Sequence, residues 1–260
     1  MNQNIDYQKI IEDAIKETTK GVGALNILIA GKTGTGKSTL INSIFRGNLA
    51  ETGIGRPITQ KIEEISQKGH PLTIIDTKGL ELKDFQSILD DLQEEIEKRG
   101  KSEDPDKHIH AAWVCIQSTS SRIESAEIEL CEFLLAQKIP TIVVITKSKK
   151  IDPFIKIVRN HIPSAKYVTG VRAIPEYIEE MEQTLPVLGL DELIEATAKI
   201  LPEAQARAYT NALNTKHKRA LTEKKNRAEI EVNIAVGLAV AAAAVPIPFS
   251  DAFTLLSNPA

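Results

Sequence analysis

Cysteine is nearly absent from this chain. The 260 residues contain only Cys115 and Cys131, with no CxxC spacing. A disulfide framework and a thiolate zinc site are therefore not suggested. Cys115 lies in an apolar run and Cys131 in a helical pattern, so both read as buried, reduced thiols of a cytoplasmic protein. Tryptophan occurs once, as Trp113 within an apolar strand, where a core role is expected. No sign of charge dominates either. Lys and Arg number 32 against 35 Asp and Glu, and the formal net charge of −3 gives no pull toward nucleic acid, so none is predicted as a partner. The first residues interleave isoleucines with Asp6, Glu12, Asp13 and Glu17 and do not read as a signal peptide. The longest apolar stretch, residues 234–245, is too short to cross a bilayer as one helix. His108 and His110 stand at i,i+2, but no carboxylate or cysteine completes a metal set with them.

What remains is ordinary for a soluble globular protein, with 42% hydrophobic and 26% charged residues. One core of normal size plus an appendage is expected from this length. The informative feature is residues 31–38, Gly-Lys-Thr-Gly-Thr-Gly-Lys-Ser, a complete GxxxxGK(S/T) phosphate-binding loop. It follows the apolar run 25–30 and precedes helix-compatible residues 38–45, the strand–loop–helix setting the motif needs. Gly31, Gly34 and Gly36 let the backbone bend and bring its N–H groups toward phosphate oxygens. Lys37 is expected to set its ammonium against the β and γ phosphates, and the Ser38 hydroxyl to ligate Mg²⁺. Lys32, Thr33, Thr35 and Thr39 complete the predicted nucleotide contacts of the loop. The following helix points its positive end at the same anion.

Along the chain, isoleucines at 5, 10, 11 and 15 predict an amphipathic helix over 4–19, ended by Gly21 and Gly23. Strands are expected at 25–30, around 58–65, and at 72–75, 109–116, 139–145 and 165–168. Residues 47–57 read as loop. Helices are expected at 38–46, 84–99 and 125–137, from 154, and through most of the chain beyond 190. Apolar strands alternating with helices imply an α/β fold: a mostly parallel six-stranded sheet with helices on both faces. The division expected is an N-terminal helix (1–22), a central domain (23–200) and a helical tail (201–260). Residues 203–231 are predicted as a long helical pattern with seven cations against four carboxylates, leading into an apolar, alanine-rich stretch. Such a segment can dock on an anionic membrane surface, or pack as a charged helix against a small bundle.

Asp76-Thr77-Lys78-Gly79 closes the strand 72–75 with a DxxG pattern, thirty-nine residues after Lys37. The Asp76 carboxylate is expected to hold Mg²⁺ through water, and Gly79 to turn its N–H onto the γ phosphate. Thr59 lies between the two motifs, where a threonine reaches Mg²⁺ only when a γ phosphate is present. Thr52 competes for that role. Residues 47–60 and 77–88 are thus expected to be the two nucleotide-sensing switches, with Lys37, Thr59 and Gly79 acting at the γ phosphate.

Taken together, residues 31–38, Thr59 and 76–79 resemble a small GTPase of the translation-factor-related class. The run GKTGTGKSTLINSIF is similar to the loops of Era-like, septin-like and immunity-related GTPases. The whole resembles a bacterial Era-like P-loop GTPase with a hydrophobic C-terminal domain, and the resemblance covers about residues 25–175. It implies a G domain that binds GTP and GDP with Mg²⁺ and hydrolyses GTP to GDP and phosphate. It also implies a homodimer through the nucleotide face as a candidate assembly, and a cytoplasmic protein that is a candidate for peripheral membrane association. The alternatives are a dynamin-like membrane remodeller and a non-hydrolysing binding module.

The chain departs from that pattern twice. Such GTPases read guanine with N/T-K-x-D; Thr146 and Lys147 match, but Lys149 stands where the aspartate belongs. Asp152 is three residues further on and substitutes only if the loop bulges. Arg172 and Ala173 resemble the fifth motif, where a backbone N–H meets the guanine oxygen. After DxxG, Leu80 replaces the glutamine that orients the attacking water, and Gly34 replaces the asparagine that holds potassium in some relatives. Slow turnover follows. Arg56 and Arg122 are candidates for added positive charge, against the plainer reading of solvated surface arginines.

Overall fold

The structure is a computed structural model that describes residues 23–46, 54–57, 59, 62–66, 71–77, 85–120, 122–149, 152–179, 182–222, 225–226 and 232. The predicted N-terminal helix, Thr52, Gly79, Leu80 and the apolar tail stretch lie outside them. In chain order the elements are β1 (Leu25–Ala30), α1 (Lys37–Ile44), β2 (Ile54–Pro57), β3 (Ile62–Ser66), β4 (Leu72–Thr77), α2 (Phe85–Gly100), β5 (Ala111–Gln117), α3 (Ser125–Ala136), β6 (Thr141–Thr146), α4 (Pro153–His161), β7 (Tyr167–Val171), β8 (Glu176–Ile178), β9 (Gln183–Leu185), α5 (Leu190–Ile200) and α6 (Glu203–Ala212).

β1 is central and pairs in parallel with both β4 and β5; β6 and β7 continue the parallel run. β3 and β2 are added antiparallel beyond β4, giving the order β2-β3-β4-β1-β5-β6-β7. The mostly parallel sheet is therefore as expected, but it has seven strands rather than six. The extra one, β2, falls in a stretch read as loop because of its glycine and proline. As an edge strand it tolerates Pro57, which has no N–H to give a second neighbour.

Side-chain alternation along the strands separates two cores. Leu25, Ile27 and Ile29 of β1 join residues of α1, α5 and α6 on one face, while Leu28 and Ala30 join α2, α3 and α4 on the other. Helices thus cover both faces. Trp113 is fully buried and stacks on Phe45 with ring centroids 5.9 Å apart; Tyr209 meets Phe45 edge-on at 5.8 Å. The Trp113 indole N–H donates to Thr197 Oγ1 at 3.1 Å, so this large ring is buried with its polar atom satisfied.

The predicted long helix over 203–231 is broken. α6 stops at Ala212, Leu213 bridges to Phe45, and the Asn214 N–H donates to the Ile44 carbonyl at 2.8 Å. Asn214 Oδ1 then accepts from the Lys216 N–H at 3.2 Å, a side-chain turn that competes with helix. His217, 4% exposed, bonds through Nε2 to the Ser43 carbonyl at 2.9 Å. Charge periodicity showed a solvated face but not these long-range bonds. The first compact unit runs to Ala220, with Ala208, Tyr209, Ala212, Leu213 and Ala220 in its core. Residues 221–260 form a second unit, helical at 221–222, 225–226 and 232. No helix among the described residues is long and apolar enough to cross a membrane.

Candidate nucleotide-binding site

The phosphate loop leaves the carboxyl end of β1, where ligands of open α/β sheets bind. Gly31 is packed hard against β5: a Cβ there would lie 2.5 Å from the Cys115 carbonyl oxygen. At Gly34 and Gly36 the reason for glycine differs. Their φ values are 77° and 91°, and a Cβ at either would meet nothing within 4 Å. Left-handed backbone, not crowding, selects glycine there. Gly36 is also the residue from which α1 starts. The loop is braced internally by Thr35, whose hydroxyl donates to the Lys32 carbonyl at 2.8 Å. Lys32 forms an ion pair with Glu124 at the start of α3.

Lys37 folds its ammonium back over the loop, donating to the Gly31 carbonyl at 2.8 Å and the Lys32 carbonyl at 3.4 Å. Its Nζ lies 4.0 Å from Asp76 Oδ1 at the end of β4. The DxxG aspartate and the loop lysine are therefore brought together, although one ends β4 and the other begins α1. Ser38 and Thr39, at the start of α1, and Thr33 are exposed. The hydroxyl of Ser38 and the carboxylate of Asp76 are hard oxygen donors of the kind Mg²⁺ takes. The loop ammonium next to Asp76 marks that carboxylate as facing a cation position. The donor set fits the ion. Among the described residues no group of three or more His, Cys, Asp or Glu could hold a metal; Mg²⁺ commonly takes one or two protein oxygens with phosphate and water as the rest. His108 and His110, considered above as a metal pair, instead pin the loop before β5. His110 Nδ1 accepts the Asn26 N–H at 3.0 Å and its Nε2 bonds to the Pro105 carbonyl at 3.0 Å.

Beside the loop is a cleft lined by Gly36, Thr39, Thr146, Lys147, Ala173 and Glu176, among others. Lys147 has φ 53° and crosses to the Gly34 carbonyl, Nζ to oxygen 3.2 Å. Thr146 is buried and donates to the Ile116 carbonyl at 3.3 Å, so it supports the wall. Arg172 is buried and held by two carbonyls, Ser148 at 2.9 Å and Pro186 at 2.8 Å. The Ala173 carbonyl accepts from Ser43 of α1 at 3.0 Å. Residues predicted from four separate sequence segments thus surround one loop and cleft.

Other expected residues stand elsewhere. Thr59 Oγ1 donates to Asp91 of α2 at 2.9 Å and accepts the Ile62 N–H at 3.1 Å. Lys149 and Arg122 are exposed. Asp152 caps α4: Oδ1 accepts the Phe154 N–H at 3.1 Å, and Oδ2 accepts from Ser118 at 2.5 Å and Ser148 at 2.9 Å. Burial alone would raise its pKa, but these bonds and one from the Lys149 amide carry it below the ordinary carboxylate value. Cys115, under the loop, is inert: burial pushes its thiol up to about 12. Sequence reasoning missed Glu176, which belongs to no motif; its one signal is its i,i+4 spacing from Arg172.

Comparison with known proteins agrees with this geometry. Residues 26–147 match the family described as 50S ribosome-binding GTPase. Neuronal-specific septin-3 of Danio rerio is 26% identical, over 75% of this chain and 64% of the septin. Translocase of chloroplast 90 of Arabidopsis thaliana is 50% identical over 22% of this chain and 7% of its own length. Among solved structures, the LeoA bacterial dynamin GTPase from ETEC superposes with a TM-score of 0.50 at 15% identity, covering 91% of this chain and 44% of LeoA. The chain spans less than two thirds of the length of the septins it matches. With the loop, the DxxG aspartate and the strand order all in place, residues 26–147 have the P-loop GTPase fold and are similar to that family.

Proposed function

We propose that this chain binds GTP and GDP with Mg²⁺, hydrolyses GTP slowly to GDP and phosphate, and acts as a nucleotide-controlled switch. The observation that carries this reading is Lys37 gathered with the loop carbonyls and Asp76 at the carboxyl end of β1. Its ammonium is placed to exchange those carbonyls for phosphate oxygens. Ser38 and Asp76 would hold Mg²⁺, which when bound shares the β and γ phosphate charge. Thr59 and Gly79 are proposed to respond to the γ phosphate, and Lys147, Arg172 and Ala173 to frame the base. Leu80 offers no hydrogen bond to an attacking water, which supports a slow rate.

Two partner proposals accompany this. The exposed apolar residues Ile174, Tyr177 and Val187 next to the cleft support a homodimer through the nucleotide face. The basic residues of 216–227 support a membrane-surface role for the tail. The test of the main reading is equilibrium binding of GTP and GDP, with turnover measured alongside. Lys37→Ala is expected to weaken triphosphate binding by about a hundredfold or more, as two charge-assisted phosphate contacts go. Equal binding by the variant and the parent chain would defeat the proposal.

A further inference from the structure

The cleft beside the phosphate loop raises the question of which side chain reads the base. Guanine offers two adjacent donors, its ring N1–H and its exocyclic N2–H₂, and a carboxylate matches both because it only accepts. Adenine offers an acceptor at N1 and cannot satisfy one. Lys149 is a cation, and it is exposed outside the cleft lining. Asp152 has the right chemistry but is already used. One oxygen takes two serine hydroxyls and the other the Phe154 amide, which fixes the carboxylate as the cap of α4.

Among the residues that line the cleft, Glu176 carries the only carboxylate. It is the first residue of β8, and the β8–β9 hairpin is rooted by the paired main chains of Arg172 and Leu188, at 2.9 and 3.0 Å. Arg172 is immobilised by the Ser148 and Pro186 carbonyls, which leaves its buried Nε 3.6 Å from Glu176 Oε2. That guanidinium faces the carboxylate at the cleft rim across an ion-pair distance. The Glu176 side chain is 56% exposed, so it keeps room to accept further bonds.

We propose that Glu176 is the base-reading carboxylate of this site, selecting guanine in place of the aspartate that Lys149 replaces. The inference rests on the nucleotide-binding reading above and names the residue that sets its base preference. Removing the carboxylate while keeping its shape inverts the hydrogen-bond code at one atom. Glutamine presents an amide N–H₂ where the second carboxylate oxygen was. That N–H₂ suits xanthine, whose C2 substituent is an oxygen, and opposes the guanine amine.

The experiment is equilibrium binding of guanosine, xanthosine and adenosine diphosphates to the parent chain, Glu176→Gln and Lys149→Ala, with thermal melts to verify folding. The parent chain is expected to prefer the guanosine form over the adenosine form. In Glu176→Gln the guanosine form should weaken about ten- to a hundredfold, and the xanthosine form should tighten relative to it, as a charged hydrogen bond is exchanged. Lys149→Ala should leave the preference unchanged. An unaltered guanosine-to-xanthosine ratio in Glu176→Gln overturns the assignment while leaving the nucleotide reading intact. A loss of base preference in Lys149→Ala does the same. A parent chain that binds none of the three overturns both.

Discussion

At the residue scale, the buried polar groups carry most of the consequences. His110 is 8% exposed, and burial lowers its pKa below the ordinary 6.5, only partly offset by the Pro105 carbonyl and the Asp106 charge. The ring is neutral, with Nδ1 accepting the Asn26 N–H and Nε2 carrying the proton toward Pro105. Between the lowered value and 6.5 the unfolded chain binds more protons than the folded one. This contribution is therefore fully present above pH 6.5 and is lost as pH falls toward the folded value. The melting temperature is expected to fall on acidification from about pH 7.5 to about pH 5.5, and to fall less steeply in His110→Gln. Parallel melting curves for the two proteins would contradict this. The gathering of the phosphate loop, Asp76, Lys147 and Arg172 around one loop and cleft was legible in the sequence, because the motifs they belong to set residue types at fixed spacing. Glu176 was not, because a residue placed by a hairpin and an arginine leaves no spacing rule to read.

At the element scale, strand identity was the most legible part. β1, β5 and β6 are largely apolar runs buried on both faces, broken inside only by Asn26 of β1, and a parallel central strand favours that composition. β2, β8 and β9 escaped because they are short and at edges, where burial imposes no pattern. The start of α4, read from residue 154, lies at Pro153 behind the Asp152 cap. The cohesion of the layer over α1, α5 and α6 centres on Trp113, Phe45 and Tyr209. Trp113→Ala is expected to cost about 3–5 kcal/mol, because it opens a cavity and removes the buried indole hydrogen bond to Thr197. Urea denaturation measures it. A loss below about 1 kcal/mol would mean that the stack contributes little.

For the whole molecule, the frame needed for the phosphate site is smaller than the unit that packs. The family match ends at residue 147, yet α5, α6 and the segment to Ala220 fill the core on the α1 side. A chain ending at residue 200 would lose Tyr209, Ala212 and Leu213 and uncover Phe45. It is expected to lose cooperative unfolding, whereas a chain ending at residue 220 should keep it; calorimetry of the two truncations decides. Charge and apolar periodicity carried no warning of this dependence, since beside the local Asn214 turn the bonds that break the 203–231 helix reach back to Ile44 and Ser43, the latter 174 positions away.

α1 is eight residues, about 12 Å of stiff rod. One tip is Lys37, the lysine of the phosphate-loop motif. The other is gripped by Asn214 and His217 through the Ile44 and Ser43 carbonyls. A shift of residues 214–217 is therefore delivered to one end of a single short rod whose other end begins with Lys37.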